Sequence, residues 1–328
     1  MNSETGIAIS AHGLSKKFGD LVAVDGVDFE VKSGELFGFL GPNGAGKTTT
    51  INMLTGLARP DSGSILIGGI DCTAKPRSAQ HLIGIVPDES NLYPELTGFE
   101  NLCFCASLYG LAKAERTLRA KKLLEMFDLT KAADRKFGGY SKGMKRKLTI
   151  AAGIIHEPDI LFLDEPTTGI DVSSARQLRL IIDELHRNGT TIFLTTHYIE
   201  EAERLCDRIA FIVAGRIVKT DSVSSLLQPI KNRHVVKIVC TGGLDSLGSV
   251  LKNQFTYEKT EIDSDSILRI EDINPVSVGP VIRFLEDHDV EVFEAQRIKP
   301  SLEEVFVNIT GVEIAAMKKD KEKSGGGK

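Results

Sequence analysis

The stretch Gly41-Pro42-Asn43-Gly44-Ala45-Gly46-Lys47-Thr48 decides the fold of this 328-residue chain. It fits the phosphate-binding pattern G-x-x-x-x-G-K-[ST] and lies between a predicted strand at residues 36–40 and a predicted helix at residues 49–57. Glycines let the backbone N–H groups of such a loop turn inward around phosphate oxygens, and the helix N-terminus adds a positive field. We expect Lys47 to reach the β- and γ-phosphates of a nucleotide and Thr48 to bind Mg²⁺, with Thr49 as a further binding residue.

Two adjacent carboxylates end the apolar run at residues 160–163, which predicts a buried strand. A solvated surface is the ordinary explanation for two neighbouring acids, but it does not suit the end of a fully apolar strand. Asp164 fits the coordination shell of Mg²⁺, and Glu165 fits a general base that polarises the attacking water. Together with the phosphate loop, these acids predict a site that hydrolyses a nucleotide.

The segment Tyr140-Ser141-Lys142-Gly143-Met144 lies just before a predicted helix. Alone, a serine in that place predicts only a helix N-cap. Its place between the phosphate loop and the two carboxylates resembles the ABC ATPase family, whose signature begins Leu-Ser-Gly-Gly-Gln. Ser141 and Gly143 match the second and fourth positions of that signature, and the other three residues depart from its commonest form. The resemblance implies that this loop caps the γ-phosphate of ATP held by the other subunit of a head-to-tail homodimer.

Three further marks of that family follow in the expected order. Thr168-Gly169-Ile170-Asp171 resembles its D-loop, which makes Asp171 a nucleotide-site candidate. His197 ends a predicted strand and is similar to the family's switch histidine, which contacts the γ-phosphate; a lone histidine would more often be structural. Phe18 matches the aromatic residue that stacks on adenine, and the alternative for it is an ordinary core phenylalanine.

One position departs from the family in a way that matters. The family's Q-loop carries a glutamine after Val-Pro, whereas this chain reads Ile85-Val86-Pro87-Asp88-Glu89. Asp88 is shorter and has no amide donor, although its carboxylate could bind Mg²⁺ through an oxygen or a water. The usual way in which this loop senses the γ-phosphate is therefore in question for this chain.

Composition limits the competing functions. The net charge of -5 is not the basic balance expected of a nucleic-acid binder, and no apolar run approaches the roughly 18 residues that a membrane helix needs. Five cysteines without a C-x-x-C pair favour reduced cytosolic thiols.

Two other classes of P-loop protein compete with this interpretation. A P-loop phosphotransferase would leave the signature loop and His197 without roles. A soluble ABC protein acting on DNA or the ribosome usually has two cassettes or a long coiled-coil insertion.

The favoured hypothesis is the ATP-hydrolysing subunit of an ABC exporter, at the cytoplasmic face of the cell membrane. It would bind ATP and Mg²⁺, form a homodimer, and dock a separate membrane-spanning permease through residues 91–96, with no nucleic-acid partner. Residues 215–218 and 300–306 resemble the type-2 exporter ATPases, the branch that includes drug-resistance pumps.

The predicted fold class is α/β. A P-loop ABC ATPase core with an antiparallel β subdomain and a helical subdomain is expected at residues 1–228, and turns are predicted at Phe18-Gly19-Asp20 and Asp25-Gly26. A small α/β domain of the split βαβ kind, with a regulatory or dimer-contact role, is expected at 229–312. A disordered charged and glycine-rich tail is expected at 313–328. The helical spacing of Leu302, Val305, Phe306 and Ile309 fits packing on the domain's own sheet or on a partner's copy.

Overall fold

A computed structural model describes residues 6–231, 233–298 and 301–312. The described residues divide into two compact units, residues 6–223 with 309–312, and Ser224–Asn308. The boundary predicted after residue 228 falls inside a helix, Val223–Lys231. The strand before this helix ends at Ser222, so there is no loop between the two elements to mark a boundary. The predicted tail at 313–328 lies outside the described residues.

The first unit contains ten strands and the helices that connect them. Its strands are β1 (Ile7–Phe18), β2 (Leu21–Lys32), β3 (Leu36–Leu40), β4 (Ser62–Ile67), β5 (Ile70–Asp71), β6 (Ile83–Val86), β7 (Ile160–Asp164), β8 (Thr191–Thr196), β9 (Arg208–Val213) and β10 (Arg216–Ser222). Its α-helices are α1 (Lys47–Leu54), α2 (Gly98–Leu108), α3 (Lys113–Met126), α4 (Lys142–Gly153), α5 (Val172–Arg187) and α6 (Ile199–Leu205), and α7 (Val223–Lys231) follows at the boundary.

The central sheet has the strand order β10-β9-β3-β8-β7-β6. Five of these strands are parallel, and β10 joins the edge antiparallel to β9. Every residue of β3, β7 and β8 is buried, as is usual for parallel strands covered on both faces. The carboxyl ends of these three neighbouring strands therefore meet at one edge of the sheet, and the residues that follow them form the candidate site.

A second, antiparallel sheet has the order β2-β1-β4-β5. The predicted turn at Phe18-Gly19-Asp20 joins β1 to β2, but the predicted turn at Asp25-Gly26 is wrong, since β2 continues through it. Gly26 has a φ of 61°, and the pairing with β1 shifts register on either side of it. The turn-forming residues therefore make an irregularity in a strand rather than a chain reversal.

The two sheets share an aromatic core. Phe29 of β2 lies 5.6–5.8 Å, between ring centroids, from Phe37, Phe39 and Phe193 of the central sheet. Phe162 joins the cluster through Phe193 at 5.7 Å. Because these rings are buried and interlocked, they fix the strands that carry the phosphate loop and the two acids.

Helices α2, α3 and α4 form the helical subdomain. Helix α2 begins with a capping box, in which the Thr97 side chain accepts from the N–H of Glu100 and the Glu100 carboxylate accepts from the N–H of Thr97. Among the described residues, no helix is long and apolar enough to cross a bilayer.

The second unit is built around a four-stranded antiparallel sheet. Its elements are β11 (His234–Cys240), α8 (Leu244–Gln254), β12 (Lys259–Ser264), β13 (Ile267–Asp272), α9 (Val278–Glu286), β14 (Val292–Ile298) and α10 (Leu302–Thr310). The strand order β12-β13-β11-β14 and the βαββαβ succession are those of the split βαβ fold. Leu302, Val305 and Phe306 of α10 are buried within this single chain, whereas Ile309 is 36% exposed.

Candidate functional site

The phosphate loop connects β3 to α1 and has no room for side chains at two of its glycines. A Cβ atom on Gly41 would lie 2.1 Å from the carbonyl oxygen of Ile212. Gly46, with a φ of 102°, would place a Cβ 2.4 Å from the carbonyl oxygen of Ala23. The carbonyl of Ala45 accepts a hydrogen bond of 3.1 Å from the N–H of Gly215. Close packing against β2 and β9 therefore holds this loop in one conformation.

A cavity of about 300 Å³ opens above the loop. It brings together nine residues that the sequence selected: Phe18, Asn43, Gly44, Gly46, Lys47, Thr48, Thr49, Asp88 and Glu165. Leu21, Val22 and Ala23 also line it, and sequence reasoning missed them because they read only as part of a strand. The cavity therefore combines an apolar end, at the start of β2, with a polar end at the phosphate loop.

Lys47 supplies the positive charge of the cavity. Its side chain is buried, and its Nζ donates to the carbonyl oxygens of Gly41 at 2.8 Å and Pro42 at 3.0 Å. The same Nζ lies 3.3 Å from Oε1 of Glu165. Burial lowers the pKa of Lys47, and the nearby carboxylates, Glu165 foremost, oppose that shift. The ammonium group is thus held at the loop by groups that phosphate oxygens can replace.

Thr48 and Asp164 meet beside the loop. The hydroxyl of Thr48 donates to Oδ2 of Asp164 at 2.9 Å, and the hydroxyl of Thr195 donates to the other carboxylate oxygen. In the described part of the chain, no group of three or more His, Cys, Asp and Glu residues could hold a metal ion. Mg²⁺ bound to a nucleotide does not need such a cage, because phosphates and waters supply most of its ligands. One hydroxyl and one carboxylate oxygen fit that requirement.

Glu165 is held by three partners. Its Oε2 accepts from the Thr168 hydroxyl at 2.8 Å and from Nδ1 of His197 at 2.5 Å, and its Oε1 faces Lys47. Burial would raise the pKa of this carboxyl, but the hydrogen bond from His197 and the charge of Lys47 bring it down to about 2. Its φ of 50° is in the left-handed region, which costs a non-glycine residue about 1–3 kcal/mol. The fold keeps this carboxylate ionised in a strained backbone position.

Phe18 lies at the apolar end of the cavity. Its ring is 53% exposed, which excludes the alternative of an ordinary core phenylalanine. Nζ of Lys16 lies 5.5 Å from the centroid of the ring. An exposed aromatic face beside a cation suits the stacking of a nucleotide base.

Asp164 and His197 do not line the cavity themselves but are hydrogen-bonded to Thr48 and Glu165, which do. Three other predicted residues lie elsewhere. Ser141, Gly143 and Asp171 are not among the described residues that line the cavity. Ser141 caps α4 by accepting from the N–H of Met144 at 3.3 Å, and Asp171 caps α5 through the N–H and hydroxyl of Ser174. The backbone hydrogen bond from Ser174 foremost lowers the pKa of Asp171. Gly143 packs so closely on Ser174 that a Cβ would lie 2.3 Å from its Oγ.

The fold and the site together define a nucleotide-binding P-loop protein. The polar end of the cavity offers a lysine, a hydroxyl paired with a carboxylate, and a glutamate held by a histidine. That set suits the cleavage of a terminal phosphate rather than mere binding.

The chain belongs to the ABC transporter family. Residues 24–168 match the family described as ABC transporter. The chain is 37% identical to the linearmycin resistance ATP-binding protein LnrL of Bacillus subtilis (strain 168), over 92% of this chain and 98% of that protein. It is 38% identical to Nod factor export ATP-binding protein I of Burkholderia orbicola (strain AU 1054), over 93% and 98%.

A solved dimeric ATP-binding cassette, in a post-hydrolysis state bound to ADP and Pi, has a similar fold. Its TM-score is 0.61 at 26% identity, covering 66% of this chain and 98% of the other. The protein is accordingly the ATP-binding, ATP-hydrolysing subunit of an ABC exporter, as the sequence predicted. These relatives give no support to the alternative of a protein that acts on nucleic acid or the ribosome.

Proposed function

We propose that the cavity binds ATP with Mg²⁺ and that Glu165 activates the water for hydrolysis. The observation that carries this proposal is that Lys47, Thr48 and Glu165 line one cavity, with Asp164 hydrogen-bonded to Thr48 and His197 hydrogen-bonded to Glu165. The adenine ring would stack on Phe18, and the N–H groups of residues 43–49 would surround the phosphates. Mg²⁺, held by Thr48 and Asp164, would neutralise charge that develops between the β- and γ-phosphates.

Lys47 has to exchange partners when ATP binds. Its ammonium group would leave the carbonyls of Gly41 and Pro42 for the β- and γ-phosphates, and its contact with Glu165 would loosen. Glu165 would then lose one of the cations that lower its pKa and become a stronger base. His197 keeps the carboxylate oriented toward the attacking water through Nδ1. ATP binding at the phosphate loop would therefore increase the basicity of Glu165.

The second part of the proposal is a head-to-tail homodimer that completes the site. Ser141, Gly143 and Asp171 carry family marks but do not line the cavity of their own chain. Ser141 is exposed at the N-terminus of the 12-residue helix α4, where a hydroxyl, free N–H groups and the helix dipole favour an anion. These residues are available to cap the γ-phosphate held by another copy.

Mixing two inactive variants tests this assembly. Ser141→Ala leaves the phosphate loop intact, and Lys47→Met leaves the signature loop intact. We expect each variant alone to hydrolyse ATP slowly and the mixture to recover activity, because some dimers then contain one complete site. The recovered rate should follow the mixing ratio. No recovery at any ratio, with heterodimers detected by a tag on one variant, would contradict the head-to-tail arrangement or require two intact sites.

The third part is docking to a membrane-spanning permease at the cytoplasmic face of the membrane. Tyr93 follows the Q-loop and is 50% exposed; its ring meets Phe104 of α2 edge-on, with 5.2 Å between centroids. Leu108, on the same helix, is 70% exposed. Leu92, by contrast, is buried, so residues 91–96 combine a small local core with an exposed aromatic contact. Exposed aromatic groups of this kind are typical hot spots of protein interfaces.

Cell fractionation separates this proposal from its competitor. With its permease co-expressed, the chain should sediment with membranes and leave them when the permease is omitted. Recovery on nucleic acid instead, with nuclease treatment releasing it, would favour the alternative.

We also infer that the second unit biases how readily two cassettes separate after hydrolysis. The unit has a sheet and a core of its own, and the nucleotide motifs all lie upstream of it. A regulatory role is thus separable from binding ATP.

A further inference from the structure

Arg146 is a buried cation that the sequence patterns did not select. It lies in α4, five residues after Ser141, and only 6% of its surface is exposed. A buried guanidinium is rarely found without full hydrogen bonding, since its burial is otherwise very costly. Its partners therefore show what holds it in place.

The guanidinium binds the backbone on both sides of Glu165. Its Nε donates to the carbonyl oxygen of Pro166 at 2.8 Å, and its Nη2 donates to the carbonyl oxygen of Asp164 at 2.6 Å. Glu165 lies between these two carbonyls, in the left-handed backbone conformation. A planar group with a fixed fork of donors can hold two peptide units in a set geometry, which a lysine ammonium cannot do.

The third nitrogen reaches a different segment. Nη1 donates to the carbonyl oxygens of Pro87 and of Asp88, the latter at 3.1 Å. These residues follow β6 and include the position where the family has glutamine. One side chain therefore joins the signature helix, the Q-loop and the strand end that carries the base.

The charge of Asp88 has a role in this arrangement. Burial foremost lowers the pKa of Arg146, and the nearby carboxylates of Asp88, Asp164, Glu201 and Glu165 oppose that shift. Asp88 is held next to the guanidinium, since its own carbonyl accepts from Nη1 at 3.1 Å. A glutamine amide at residue 88 would supply no negative charge to a buried cation. Aspartate in place of the family's glutamine therefore supplies a negative charge next to the buried positive charge of Arg146.

We propose that Arg146 is a positioning residue that fixes the backbone around Glu165 and ties it to the Q-loop, with Asp88 as its charge partner. The role rests on Glu165 being the base of the proposed function. Movement of the Q-loop would reach Glu165 through this guanidinium, so the loop next to Tyr93 is linked mechanically to the catalytic carboxylate.

Arg146→Lys tests the positioning, since it keeps the charge but cannot reach four carbonyls at once. We expect kcat for ATP hydrolysis to fall about 10- to 100-fold, the usual effect of a small misplacement of a catalytic group. The affinity for ATP should change by less than about threefold, because these hydrogen bonds of Arg146 go to carbonyls outside the phosphate loop. Arg204→Lys is the matched control: this exposed arginine makes one ion pair with Glu200, and its replacement should leave kcat unchanged.

A second measurement tests the charge pairing without using activity. Asp88→Asn should lower the melting temperature of the nucleotide-free protein by about 3 °C or more in the wild-type and Arg146→Lys backgrounds, which both keep the cation. In an Arg146→Met background the same change should lower it by less than about 1 °C. If Arg146→Met does not fold, a shift of less than about 1 °C on Asp88→Asn in wild type would still overturn the charge pairing.

The results of these experiments distinguish a failure of the proposal for Arg146 and Asp88 from a failure of the proposed function of Glu165. Wild-type kcat in Arg146→Lys would overturn the positioning role even if Glu165 proves essential. An Asp88→Asn shift that is equal in all three backgrounds would overturn the charge pairing. If Glu165→Gln hydrolyses ATP normally, the proposed function fails, and the melting-temperature cycle still decides whether Asp88 and Arg146 are coupled.

Discussion

Replacing Lys47 by methionine perturbs the nucleotide site at a single charge. The side chain is 6% exposed, so methionine fills nearly the same buried space without the ammonium group. The variant loses the donors to Gly41 and Pro42 and the contact with Glu165. Two carbonyls and one carboxylate then lack this partner before any nucleotide arrives.

The effect on ATP binding follows from an exchange of contacts. Two charge-assisted hydrogen bonds to the phosphates are worth about 1.5–3 kcal/mol each. The lysine gives up two carbonyl contacts and one carboxylate contact to form them, which offsets part of the gain. A net loss of about 2–4 kcal/mol raises the dissociation constant for ATP roughly 30- to 700-fold.

Equilibrium titration with a fluorescent ATP analogue measures this change directly, and the shift of melting temperature with ATP concentration checks it. Lys219→Met is the control, because Lys219 is half exposed and pairs with Asp221 on β10. Its ATP affinity should equal that of wild type. If Lys47→Met binds ATP as tightly as wild type does, the assignment of the cavity to the phosphates is wrong.

Three further predictions concern other parts of the chain. Tyr93→Ala should weaken the complex with the permease by about 2 kcal/mol and abolish transport, while the ATPase activity of the isolated chain stays intact; equal loss of both activities would indicate misfolding. Leu268→Ala, in the core of the second unit, should lower the stability of that unit by about 2–5 kcal/mol, and calorimetry should show one shifted transition beside an unchanged, ATP-sensitive one. Glu201 is 3% exposed, and the hydroxyls of Thr167 and Thr196 near its carboxylate offset only part of the cost of burial. Burial raises the pKa of Glu201 above the pKa of the same group in the unfolded chain. As pH rises above the unfolded pKa, the unfolded chain loses this proton more readily than the folded protein does, so the folded protein loses stability. Glu201→Gln should therefore gain stability relative to wild type as pH rises above the unfolded pKa of the glutamate, by about 1–3 kcal/mol at most; a difference independent of pH would refute this reasoning.

The local elements of the fold were predictable because their signals are short-range. Buried parallel strands read as apolar runs, and β3 was predicted with the bounds that the structure has. The split βαβ unit also followed from alternating strand and helix patterns. The turn at Asp25-Gly26 failed because a glycine at positive φ serves a strand irregularity as well as it serves a turn.

The nucleotide residues were predictable because their spacing is fixed by the phosphates. The cavity brings the adjacent residues Lys47 and Thr48 together with Glu165, which lies more than a hundred residues later in the sequence. Arg146 could not be found in this way, because its partners are backbone carbonyls, which no residue type marks. For Asp88 the sequence showed the departure from the family but not the neighbouring guanidinium that gives the acid a partner charge.

Hydrolysis by Glu165→Gln tests the central claim most directly. Glutamine keeps the size of the side chain but loses the charge that faces Lys47 and His197. A single-turnover measurement with excess protein should show ATP binding retained and hydrolysis slowed by roughly 10²–10⁴, with an ATP-bound dimer accumulating during gel filtration. Hydrolysis at the wild-type rate in this variant would contradict the account, since no base would then be needed at Glu165.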